Sequence, residues 1–277
     1  MKTSDGKAAR SRYWLLAPII LLYGTLAVLP LTLIVTHAFE DGLDHFRTIA
    51  SSVLFWPIVG NTVVISLCTT AAAVSLGYIL AAAMWCSRPP LRRVLLAVTL
   101  LPFWSGVLVK NFAWSALLQD NGVINGLLQT LALRSAPLPL LHNRFAVVVG
   151  MVHYVLPYAV FPIFATMLGI DGTLTRAAES LGATRSVVLF QIVGPLTLPG
   201  VYAAALLVLI MAGGFFITPV LLGGPQNMMV ANLVNYYANE LVDFGSAAAL
   251  AVTISIGVAV LMLLYHRIPK EGQYGRA

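Results

Sequence analysis

Charge is what this sequence has least of. Acidic and basic side chains make up 9% of its 277 residues, against 59% hydrophobic, and that balance excludes an ordinary soluble domain, in which about a quarter of the residues are charged. The apolar surface has to face lipid. Cysteine is scarce too: Cys68 and Cys86 both fall in one apolar run. That excludes a disulfide framework or a paired-cysteine metal site, and both are expected to be helix-packing thiols. No Gly-x-x-x-x-Gly-Lys-Ser/Thr occurs, and the only Gly-Lys pair, Gly6-Lys7, lies in a polar tail, so ATP chemistry is not encoded here. His-Glu-x-x-His, Gly-x-Ser-x-Gly and carboxylate pairs within apolar runs are missing as well, which argues against a membrane enzyme. The formal charge of +6 forms no basic stripe with interleaved aromatics, so nucleic acid is not an expected partner.

What is present is a series of long apolar runs. A span needs about 20 mainly apolar residues at roughly 1.5 Å rise each to cross about 30 Å of hydrocarbon. Six segments satisfy this, approximately 13–36, 60–85, 94–117, 145–168, 198–222 and 245–265. No period-2 barrel pattern is visible, and only helices otherwise satisfy the backbone in lipid. The expected fold is therefore an all-α integral membrane protein of six helices. The first run follows Lys2, Lys7, Arg10 and Arg12 but is longer than a signal-peptide core, so it reads as an uncleaved membrane helix.

The basic residues predict the orientation. Besides those four, Arg88, Arg92, Arg93, Arg176, Arg185, Arg267, Lys270 and Arg276 fall on one side. Arg47, Arg134, Arg144 and the span-end Lys110 fall on the other, beside Glu40, Asp41, Asp44, Asp120, Glu240 and Asp243. The positive-inside bias places both termini in the cytoplasm. The chain then divides into a tail (1–12), a first span with its external loop (13–57), a core of five spans (58–266) and a second tail (267–277). Two external connections carry helical stripes: Val123, Ile124, Leu127, Leu128 and Leu131, and Val230, Leu233, Val234, Tyr237 and Leu241. Each is expected to be an interfacial helix that caps the bundle or docks a partner.

The cytoplasmic segment between spans four and five, residues 171–197 within DGTLTRAAESLGATRSVVLFQIVGPLTLP, has more structure than a linker needs. Leu174, Ala177, Ala178 and Leu181 share one face at helical spacing, with Arg176 and Glu179 pointing elsewhere. Thr173 is the expected N-cap, and Gly182 stands where a left-handed residue would end the helix. A second helical stretch is expected from about Ser186 until Gly194-Pro195 breaks it. Either the helix packs on its own bundle or it presents that face to a partner.

This segment resembles the signature of the inner-membrane components of binding-protein-dependent ABC importers. That pattern is Glu-Ala-Ala, three residues, Gly, nine residues, then Ile-x-Leu-Pro. Ala177, Ala178, Gly182, Ile192 and Pro195 match in register, while Arg176 replaces the usual Glu and Gly194 the usual Leu. NTVVISL at 61–67, LPFWSGVLVKNFAW at 101–114 and FFITPVLLGGPQNMMVANLV at 215–234 are similar to the spermidine/putrescine branch, and the likeness covers about 58–266. The resemblance implies a type I importer fold and a non-catalytic permease that moves a small solute inward by alternating access. It implies four kinds of partner: a second permease, identical or homologous; an ABC ATPase dimer carrying the ATP and Mg; an extracytoplasmic solute-binding protein; and the lipid of a bacterial inner membrane. No cofactor or metal is implied on this chain. A polyamine is the implied solute, with opines, aminophosphonates, thiamine or ferric iron as alternatives within the class, and a membrane assembly protein as an alternative outside it. The implied ATPase-coupling residues are Arg176, Ala177, Ala178, Glu179, Gly182, Ala183, Arg185, Ile192 and Pro195. Small residues permit close approach to a groove, and the charged ones can make charge-assisted contacts.

Polar residues within the runs mark a candidate translocation path. Lys110 is 17 residues beyond Arg93 and can either serve function inside the span or snorkel to the outer interface. Asn111 and Trp114 lie beside it, and His153, Tyr154 and Tyr158 lie in span four, where a lone histidine is expected to make an interhelical hydrogen bond. Gly213, Gly214, Phe215, Phe216, Thr218 and Pro219 should loosen span five at mid-depth. Ordinary membrane packing, a hydrophobic gate or a cation-π site for an ammonium would each use this combination.

Overall fold

The computed structural model describes residues 5–133 and 136–267. Of the residues used for orientation, Lys2, Arg134, Lys270 and Arg276 lie outside the described residues, as do the side chains of Lys7, Arg10, Arg12 and Arg185. Among the described residues every regular element is helical. In chain order these are α1 (Asp5–Ala38), α2 (Asp44–Ser51), α3 (Phe55–Cys86), α4 (Pro89–Trp104), α5 (Val107–Leu118), α6 (Val123–Thr130), α7 (Arg144–Leu168), α8 (Gly172–Ser180) and α9 (Arg185–Val187). A π-helical turn at Val188–Val193 leads directly into α10 (Gly194–Gly213), followed by α11 (Ile217–Leu222), a 3-10 turn (Pro225–Asn227), α12 (Val230–Asn235), a second π turn (Tyr236–Glu240) and α13 (Phe244–His266). Among the described residues five helices are long and apolar enough to cross a membrane, and a bent pair, Pro89–Trp104 with Val107–Thr130, passes the same test of length and composition when taken together.

The chain forms two compact units. In the first, residues up to Ser52 with Val234–Ile256, α1 is exposed along nearly its whole described length, as a lipid-facing helix must be. The Phe39 and Phe46 rings, 5.0 Å apart, close the turn into α2, and His45 pairs with Asp41 at 3.4 Å. In the second unit, Val53–Leu233 with residues from Gly257 on, α3, α7 and α10 pack pairwise. Ala73, Val155, Ala159 and Val208 form one buried layer, and Ala81, Met84, Val160, Ile163, Met167, Val193 and Ala204 form another toward α8. Small residues set the spacing: a Cβ on Gly77 would stand 2.9 Å from that of Ala159, the close approach that membrane helices use in place of a hydrophobic driving force.

Two spans are broken. The run predicted as a single span over 94–117 is α4 and α5, and the axis of Pro89–Trp104 meets that of Val107–Thr130 at 101°. Pro102 lacks an amide donor in the last turn of α4, and Ser105 and Gly106 are extended, with ψ of 130° and 152°. The fifth span stops at Gly213 and resumes at Ile217, at the glycine pair where loosening was expected. Two other expectations need correction. Gly194-Pro195 does not break the helix before it, because the π turn bonds the Gly194 amide to the Leu189 carbonyl and this wider turn accommodates a proline with no N–H to give. Cys68 and Cys86 are exposed rather than packed.

Candidate functional site

The connection between α7 and α10 is built by its caps. Asp171, not the expected Thr173, starts α8: its backbone is extended and its carboxylate accepts the Thr173 amide at 2.9 Å. That amide hydrogen bond holds the Asp171 carboxyl below its usual pKa. At the other end Gly182 takes φ +85°, the Gly182 amide donates to Glu179 O, and the Ala183 amide donates to Ala178 O, both at 3.0 Å. This is the six-to-one and five-to-two pattern that closes a helix through a left-handed residue.

α8 touches the bundle only by its edge. Ala178 and Ala183 lie against the buried layer around Met167 and Val193, while no α8 residue is fully buried. Leu174 is 48% exposed and Leu181 89%, and Ala177, Arg176 and Glu179 are exposed too. Leu174, Ala177 and Leu181 of the apolar stripe therefore face outward from this chain, while Ala178 turns to the bundle. Ile192 is half-buried in the π turn and Pro195 is exposed in the first turn of α10. Arg185 opens α9.

The polar residues of the third and fifth spans meet at α7. Lys110 is buried at 8% exposure, and its Nζ lies 4.8 Å from the centroid of the Tyr154 ring. Its side chain is packed against Tyr154 of α7 rather than extended into the open. Tyr154 stacks on Tyr158 at 6.3 Å and receives the edge of Phe215 at 5.1 Å, and Phe103 packs on Tyr158 at 5.0 Å. Phe103, Ser105, Gly106, Val107, Lys110, Tyr154 and Tyr158 line a cleft of about 210 Å³. Asn111 Nδ2 donates to Thr218 Oγ1 at 3.1 Å, and Trp114 Nε1 donates to His153 Nδ1 at 3.0 Å; the second is the interhelical bond expected of His153. Phe216 is the residue not brought in: its side chain is 37% exposed, and its carbonyl accepts Asn232 Nδ2 at 2.9 Å.

Sequence reasoning placed Tyr158 on the path and noted Tyr154 only as its neighbour in span four, although the two sit four apart on one helix face. Phe103 and Ser105 gave no signal. Asn61 was missed as well: it accepts Arg144 Nη2 at 2.7 Å and donates to the Gln226 carbonyl at 2.6 Å, anchoring the turn after α11.

A bundle with two broken spans, an internal polar cleft and an outward-facing amphipathic connecting helix defines a polytopic membrane transport protein. No family model matches the chain. It is 30% identical over 236 residues to the spermidine/putrescine transport system permease protein PotB of Haemophilus influenzae, covering 84% of this chain and 82% of that protein. To PotB of Escherichia coli K12 it is 29% identical over 225 residues, covering 81% and 82%. Among solved structures it is similar in fold to a chain of a bacterial alginate ABC transporter in complex with an alginate pentasaccharide-bound periplasmic protein, with TM-score 0.85, 19% identity and 97% of each chain covered. The chain belongs to the ABC importer permease family, in the branch of the PotB proteins.

Proposed function

We propose that this permease subunit imports a small polycation of the spermidine or putrescine type across a bacterial cytoplasmic membrane, paired with a second permease. The solute follows from the named relatives. Both termini and α8 lie inside, and the loops around Asp41, Asn125 and Asn235 lie outside, as the basic-residue asymmetry requires. The segment 171–197 is the coupling element. ATP and Mg belong to the partner ATPase, and an extracytoplasmic binding protein delivers the solute. Phe215 and Tyr158 line the path, with Lys110 and Trp114 toward its outer mouth, while Asn111 and Thr218 are buried behind it, bonded to each other, and Phe216 lies outside the cleft.

The observation that carries the coupling role is α8 itself. A nine-residue helix with a capped start and a left-handed stop is a rigid part. It leaves Leu174 and Leu181 uncovered, which suits a lever seated in a groove of another protein better than a helix packed on its own bundle.

The test is uptake by the complete transporter, reconstituted with its ATPase, second permease and binding protein. Saturable, ATP-dependent uptake of radiolabelled putrescine is expected. Uptake of 2-aminoethylphosphonate instead would replace the solute and keep the transporter class. For orientation, Leu181→Cys in a chain with Cys68→Ala and Cys86→Ala should resist an impermeant thiol reagent in intact cells; labelling from outside would overturn it.

A further inference from the structure

Lys110 sits where a lysine is least expected. It is in the first turn of α5, at the positive end of the helix dipole, it is nine-tenths buried, and among the described residues no carboxylate pairs with it. The protein nevertheless keeps its ammonium inside, against the face of Tyr154. The remaining walls of the cleft are Phe103, Ser105, Gly106, Val107 and Tyr158. The aromatic faces of Phe103, Tyr154 and Tyr158 attract a cation without the grip of an ion pair.

We propose that this cleft is a binding site for a primary alkylammonium group, with Lys110 as its built-in occupant, and that a cationic solute enters by displacing the Lys110 ammonium from Tyr154. The inference rests on the reading of this cleft as part of the solute path. The 4.8 Å contact shows that the ring face accepts a primary ammonium on a straight alkyl chain, the same chemical end that a linear polyamine carries. The adjoining space of about 210 Å³ equals the liquid volume of about seven waters, room for one alkylammonium arm. Lysine suits the task because its four-carbon stem is flexible and its head is a point charge with no fixed fork. When the solute leaves, Lys110 returns to the ring and the site is never without a cation, so an empty carrier does not hold an unfilled cation site open to metal ions or protons. A carboxylate in the same place would bind a polyamine more tightly but would release it slowly.

The test is equilibrium binding of n-butylammonium to the purified transporter in detergent, with butyrate as the anionic control. Lys110→Met removes the resident competitor while keeping its apolar stem, and should tighten n-butylammonium binding by about fivefold, the worth of one cation-π contact. Adding Tyr154→Leu to Lys110→Met should abolish that gain. Unchanged or weaker n-butylammonium binding to Lys110→Met would overturn the proposal, as would butyrate binding that depends on Lys110. Should Lys110→Met fail to assemble, Lys110→Gln decides, since it also removes the resident ammonium and must tighten n-butylammonium binding if that lysine is the competitor. Putrescine uptake by the unaltered transporter is scored separately: no uptake with tighter n-butylammonium binding to Lys110→Met would leave the site standing and remove the polyamine.

Discussion

Asn111 and Thr218, 107 positions apart, meet in a fully buried hydrogen bond of 3.1 Å. Asn111 belongs to α5 and Thr218 to α11, the two pieces that follow the breaks in the third and fifth spans, and the bond crosses α7 at Gly150. A Cβ on Gly150 would run into Leu222 and come within 3.0 Å of Thr218, so a glycine there lets the two pieces close over α7. They are fastened to each other while each is jointed to the rest of its own span.

Thr218→Val preserves the shape of that contact and removes the acceptor, stranding the Asn111 amide. A loss of about 1–3 kcal/mol of stability is expected, read as a lower thermal midpoint of the purified transporter, and Thr218→Ser should restore most of it. An unchanged midpoint for Thr218→Val would mean that the fastening is not energetic.

At Gly182 the space for a side chain is open, with nothing within 4 Å of an added Cβ, and only the backbone at φ +85° resists substitution. Gly182→Val should therefore cost on the order of 1 kcal/mol or more through the left-handed conformation alone, with Gly182→Ala milder. Membrane insertion should be normal, ATPase co-purification reduced and uptake lost. If Gly182→Val keeps both partner and transport, the turn is not part of the transmission.

The outward face of α8 can be tested without touching the turn. Leu181 is 89% exposed, so Leu181→Asn gives up no intramolecular packing and should leave the melting profile unmoved while ATPase co-purification falls. Glu179→Lys should behave alike if its charge meets the ATPase. Loss of folding in Leu181→Asn would place that side chain on its own bundle instead.

pH should act on α8 through Asp171. Its carboxyl is held below the usual carboxylate value by the Thr173 amide. A depressed pKa means that the cap is fully present above the unfolded-state pKa and is lost as the pH falls through the folded-state value. ATPase association should hold at neutral pH and weaken only in the acid range below about pH 4. Asp171→Asn, which keeps an acceptor with no proton to gain, should remove this component of the acid loss. The check is association measured against pH for both proteins.

Much of this was legible because lipid imposes a simple rule: six apolar runs of spanning length were visible without any contact information. The break in the fifth span was equally readable, since Gly213-Gly214 interrupts it at mid-depth. The break in the third span was not. Pro102 and Gly106 are ordinary within membrane helices, the apolar run continues through them, and only tertiary packing decides whether such a position kinks or snaps. Everything that depends on the 101° bend was hidden with it, including the approach of Lys110 to Tyr154. At α8 the two available cap formers stand two residues apart, and Asp171 wins over Thr173 because its acceptor oxygen lies one residue outside the helix, where an N-cap belongs.

The π turn at Val188–Val193 sets the phase of α8. Each residue of an α-helix advances the chain by about 100°, and a π turn holds a residue more than the α ladder can. All that precedes it, α8 included, is dialled round by about that angle relative to α10. Val188 and Val193 are held in the buried layer, but the bearing depends on the length of the turn: losing one residue would exchange the Gly194–Leu189 bond for an α-helical one and turn Leu181 and Glu179 to a new compass bearing. The aim of α8 is thus stored as a residue count rather than as any particular side chain.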